Sequence, residues 1–125
     1  MFLTTLQVAV GGALGAAARY LTGVGVTRAF GFGGFPLGVL TVNILGSFLM
    51  GALFLLLARR GLTHLNPFLM TGVLGGFTTF SAFSLETITL WDRGQPAQAA
   101  LYVVLSVTLS LAALLAGMWI ARSLA

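Results

Sequence analysis

The side chains able to meet an ion are few, and most lie inside stretches whose composition predicts a membrane environment. The densest group is the run GVLGGFTTFSAFSLE over residues 72–86. Gly75-Gly76 followed by Thr78-Thr79 weakens a helix at a depth where no water replaces lost backbone bonds. A helix broken there exposes two ion-binding ends: the carbonyls near Gly75 suit a cation, and the amides over residues 77–79 carry the positive end of a helix dipole and suit an anion. Phe80, Ser81, Phe83 and Ser84 follow at once. The plainer reading of the same residues is a flexible Gly-Gly kink with its phenylalanines turned to lipid.

Four further features carry chemistry. Asn43 lies mid-span, and its carboxamide must face protein or water, either as interhelical hydrogen-bond glue or as a donor offered to a passing anion. Arg19 is a permanent charge several residues inside a span; it either snorkels to the interface or stands at the mouth of an aqueous vestibule, where it would concentrate anions. Tyr102, Ser106 and Ser110 recur every four residues and so share one helical stripe, which serves as a polar track along a pore wall or only bonds its own carbonyls one turn back. Glu86 faces the vestibule or reaches the interface. The lone His64 has no second His, Cys or acid at metal-ligand spacing and reads as a solvated loop residue.

The elements that must position these groups follow from composition. The chain has 125 residues, 58% hydrophobic and 6% charged, with a mean hydropathy of +1.06. A helical span takes about 20 residues, so the length predicts a single four-helix transmembrane domain over residues 1–125, with spans near 5–26, 36–57, 67–90 and 97–120. The first segment lacks a basic leader and is expected to be retained. In it, GGALGAAARY places Gly11 and Gly15 on one face, the small-xxx-small pattern of close helix packing. The glycine-rich loop over residues 31–34 lacks the lysine of a phosphate loop and reads as a turn. The chain has no cysteine, which removes disulfides and thiolate chemistry.

Six arginines against Glu86 and Asp92 give a net charge of +4. The arginines are dispersed among helix ends and loops, with no basic face to follow phosphates, so no nucleic-acid partner is expected. Four spans put Arg59, Arg60 and Arg122 on one side and Arg28 and Arg93 on the other. So small an asymmetry predicts insertion in both orientations, hence an antiparallel dual-topology homodimer whose two-fold axis pairs the Gly75 breaks.

Taken together, GGALGAAARY, the run from Pro36 through Asn43 to Gly51, and GVLGGFTTFSAFSLE resemble, in order and spacing, the three motifs of the Fluc/CrcB family of fluoride ion channels. The resemblance covers essentially the whole chain. It implies an all-α membrane protein of four transmembrane helices, the third broken near mid-membrane, working as an antiparallel dimer in the plasma (inner) membrane of a prokaryote. It further implies that Phe80 and Phe83 touch fluoride through ring edges, that Asn43 donates a hydrogen bond to it, and that Tyr102, Ser106 and Ser110 form a hydroxyl track. A structural sodium ion at the dimer interface is implied on the backbone carbonyls of Gly75 and Thr78. Val39 and Ala82 stand where the family commonly has threonine, so two hydroxyls of its pattern are missing.

The competing reading is a proton-coupled exporter of the small multidrug resistance type, also short and four-span. That chemistry uses a carboxylate in the first helix, where this chain has Arg19 and no acid. A structural subunit without transport leaves Asn43 and the polar stripe without a purpose. An enzyme is not expected, since no nucleophile and base pair, metal cluster or carboxylate dyad is present.

Overall fold

Long runs of leucine, alanine and valine leave the backbone no hydrogen-bonding partner but itself, and the chain is helical almost throughout in the computed structural model, which describes residues 1–31 and 33–125. Helix α1 is Phe2–Phe30 and α2 is Leu37–Arg59. After a 3-10 turn at Thr63–Leu65, a π-helical segment, Pro67–Leu74, runs into a single α-helical turn, α3, Gly75–Phe77. Helix α4, Phe80–Asp92, and α5, Pro96–Leu124, complete the chain. Phe32, in the glycine-rich loop, lies outside the described residues.

Among the described residues, three segments are long and apolar enough to cross a membrane: Leu37–Arg59, Thr63–Asp92 and Pro96–Leu124. Helix α1 has 29 residues, as many as α5, but glycine, threonine and Arg19 dilute its apolar character. The helices overrun the apolar spans at most ends, because hydrogen bonding continues into the interfacial residues where hydropathy has already fallen. The π-helical winding of Pro67–Leu74 was not legible in the sequence.

Packing follows the small residues. Helix α1 lies chiefly against the π-helical segment and α3, and α2 against α5. A methyl group on Gly11 would sit 2.5 Å from the Phe68 carbonyl oxygen, and one on Gly15 would run into the Val73 carbonyl. The stripe that suggested close approach in α1 is thus where the backbones meet, as dispersion-driven packing in lipid requires. Gly51 and Gly117 do the same for α2 and α5, against the backbones of Leu114 and Phe48. Between α2, α4 and α5 a core forms from Leu40, Phe83, Leu90, Ala99 and Tyr102, with Phe35 and Val39 packed on it.

The chain leaves the helix at Thr78 (φ −87°, ψ 157°) and Thr79 (φ −152°, ψ 121°), beginning two residues past the Gly-Gly pair. Gly75 itself is helical, at φ −62° and ψ −37°. The glycines serve proximity here: a methyl on Gly76 would lie 2.5 Å from the Gly12 carbonyl oxygen. Thr79 then restarts the helix as the N-cap of α4, its Oγ1 accepting from the Ala82 amide at 3.1 Å.

Candidate ion-binding site

The two extended residues, Thr78 and Thr79, gather the polar groups of three helices. From α2, the Asn43 carboxamide donates through Nδ2 to the Thr79 carbonyl at 3.0 Å and accepts at Oδ1 from the Thr79 amide at 2.8 Å. From α1, Arg19 Nε donates to the Gly76 carbonyl at 3.1 Å, a cation on the negative end of the interrupted helix. From α4, Ser81 Oγ lies 3.2 Å from Thr79 Oγ1. The carbonyls of this half-helix are therefore divided among unlike partners. Thr78 N–H holds that of Leu74 at 3.0 Å and Arg19 holds that of Gly76.

The Gly75 and Thr78 carbonyls, like that of Phe77, accept from no amide four residues on. In an unbroken α-helix each carbonyl accepts from the amide four residues on. For Gly75 that amide is Thr79, which donates to Asn43; for Thr78 it is Ala82, which donates to Thr79 Oγ1. Both carbonyl oxygens thus keep acceptor capacity that helical bonding does not use, and backbone oxygen is a donor a hard cation takes. The residues present thus fit a small cation bound by backbone oxygen.

Beyond the interruption an aromatic line runs toward the protein core. Phe80 is 77% exposed on the surface of the single chain, whereas Phe83 is buried. Their ring centroids are 5.4 Å apart, Phe83 and Tyr102 are 5.3 Å apart, and Phe35 meets Tyr102 edge-on at 5.6 Å. Tyr102 is wholly buried, and its hydroxyl donates to Glu86 Oε2 at 3.0 Å. That bond commits the one phenolic proton, so in this geometry Tyr102 has only acceptor capacity left. One turn on, Ser106 Oγ is buried with no hydrogen-bond partner, so its proton is uncommitted and it does not bond its own helix. Ser110 lies a further turn along α5, half-buried.

Glu86 and Arg19 also line a cavity of about 740 Å³ between α1, α2 and α4, together with Arg28, Val39 and Arg93. Three arginines against one glutamate make its field positive, and low-dielectric walls focus such a field. The two missing threonine hydroxyls have different surroundings. Val39 packs on the core and borders the cavity, so the chain is apolar there; Ala82 contributes its amide to the Thr79 cap.

Three relationships had no local signal in the sequence. The Tyr102–Glu86 bond spans 16 positions, and the Asn43–Thr79 pair spans 36. Phe35 enters the aromatic line from the loop before α2. The Thr79 cap was legible in principle, as a threonine just before an apolar helical run.

Comparison with known proteins identifies the family. Residues 6–118 match the family described as CrcB-like protein, Camphor Resistance (CrcB). A protein of Ruegeria sp. named fluoride-specific ion channel FluC is 67% identical over 122 residues, covering 98% of this chain and 97% of its own. Proteins of the same name from Roseobacter denitrificans and Cereibacter sphaeroides are 60% and 63% identical, each over 94% of both chains. With residues 6–118 matched by the family model and relatives of 60–67% identity covering 94–98% of it, the chain belongs to the CrcB family.

Proposed function

We propose that this protein is a passive, fluoride-selective channel that lets cytoplasmic fluoride leave the cell. The observation that carries the reading is the near-full-length identity to relatives named fluoride-specific ion channels. The geometry supplies a physical route. Fluoride is small and accepts hydrogen bonds strongly, so its dehydration must be offset by close donors. Aromatic ring edges carry positive charge, and Phe80 and Phe83 offer such edges beside the interruption. Ser106 offers an uncommitted hydroxyl proton, and Ser110 continues the stripe. Asn43 has one amide proton beyond the one given to Thr79. The cavity holding Arg19 would act as a vestibule that raises the local anion concentration.

The assembly belongs to the same proposal. The unit is one domain over residues 1–125, in which α1 also crosses the bilayer and Thr78-Thr79 forms a mid-membrane break lined by protein. A second copy packs antiparallel against the first in the plasma membrane, each copy inserting in either orientation. The exposure of Phe80 supports this, since half of a pore wall has to come from elsewhere. Gly75 and Thr78 of both copies would hold sodium at the two-fold axis, where its charge would offset four facing carbonyl dipoles. No catalytic role is proposed.

Fluoride efflux from liposomes carrying the purified protein tests the reading, with chloride-loaded liposomes in parallel. Fast, electrically driven fluoride loss without chloride loss is the expected result. Phe80→Ile and Phe83→Ile should each reduce the flux with the dimer intact. Absence of fluoride flux from folded protein would refute the channel, and full flux in both variants would remove the aromatic pair from the route.

A further inference from the structure

Both hydrogen bonds of the Asn43 side chain go to the backbone of a single residue, Thr79. A backbone amide has one proton, and Thr79 gives it to Asn43 Oδ1 at 2.8 Å. The carbonyl this takes out of the helix is that of Gly75, four residues back. Its neighbours on either side are occupied, Leu74 by the Thr78 amide at 3.0 Å and Gly76 by Arg19 at 3.1 Å. One side chain on another helix therefore leaves the Gly75 carbonyl without its helical amide. Gly75 is also exposed on the protomer surface.

We infer that Asn43 is a positioning residue for a cation site at Gly75 and Thr78, acting through the Thr79 backbone and not by touching the ion. The inference rests on the proposed reading that these carbonyls hold sodium. Without the carboxamide the Thr79 amide returns to Gly75, the helix extends by one residue, and the Gly75 oxygen is no longer free for an ion. Recapture by one backbone hydrogen bond changes cation affinity by about tenfold. The Asn43 carboxamide thus links the anion route, which it borders, to the cation that ties the two copies together.

The test is the thermal unfolding midpoint of the purified protein in detergent as sodium chloride replaces N-methylglucamine chloride at constant ionic strength. The readout is the sodium concentration giving half of the stabilisation. Wild type should show a saturable, sodium-specific rise. Asn43→Ala should need about tenfold more sodium, while Asn43→Asp, which keeps an oxygen for the Thr79 amide, should need no more than wild type. An unchanged sodium requirement in Asn43→Ala alongside a sodium-dependent wild type would overturn the inference and leave the cation reading standing. A wild type indifferent to sodium would overturn both. If Asn43→Ala does not assemble, Asn43→Asp decides: a tenfold weaker sodium response there refutes the positioning role, because the accepting oxygen is still present.

Discussion

The bond between Tyr102 and Glu86 can be isolated by a double-mutant cycle. Tyr102→Phe keeps the ring, and with it the packing against Phe83 and Phe35, and removes only the hydroxyl that reaches Glu86 Oε2 at 3.0 Å. Net hydrogen bonds to charged groups contribute ~1.5–3 kcal/mol. Glu86 borders an open cavity, so water can replace part of what is lost, and we expect a cost of about 1–2 kcal/mol. Glu86→Ala should cost about as much or more, ~1–3 kcal/mol, because it strands a phenolic hydroxyl that is 0% exposed. The double variant strands neither group, so its cost should fall short of the sum by about 1 kcal/mol or more. Reversible unfolding in mixed detergent, with circular dichroism as the signal, measures all four corners. Additivity within ~0.3–0.5 kcal/mol would refute the argument and make the contact incidental to stability.

Gly117→Ala should destabilise the α2–α5 contact by ~1–3 kcal/mol, since the new methyl meets the Phe48 carbonyl, while Gly25→Ala, with nothing within 4 Å, should be neutral or stabilising in the same unfolding assay. Ser106→Ala should leave stability unchanged or raise it by up to about 1 kcal/mol, as it removes a buried hydroxyl without a partner, yet lower fluoride flux several-fold; undiminished flux would take Ser106 out of the route. Adding two arginines to the loop that carries Arg93 should bias insertion toward one orientation and reduce activity, with coexpression of an oppositely biased copy restoring it. A single fixed orientation of single-cysteine variants whose loop arginines are unchanged, read by cysteine accessibility, would refute the charge argument.

Helical content, membrane character and the places of closest helix approach follow from the amino-acid sequence alone. Apolar runs of about 20 residues admit one backbone solution in lipid, and glycines four apart mark a face where two backbones meet, as Gly11 and Gly15 do against Phe68 and Val73. The sequence also singled out Asn43, Arg19 and the Thr78-Thr79 step, because polar groups at membrane depth have to be satisfied. What it could not assign was the partner of each. The Gly-Gly pair looked like the point of departure from the helix, yet that pair stays helical and packs on α1, while the departure falls at Thr78 and Thr79. The reason is tertiary. Asn43, 36 residues away, competes for the Thr79 amide and wins it, and Arg19, 57 residues away, holds the Gly76 carbonyl. Composition and spacing set which groups needed partners; the crossing of α1 and α2 over the third segment decided which carbonyl was capped and which was left free.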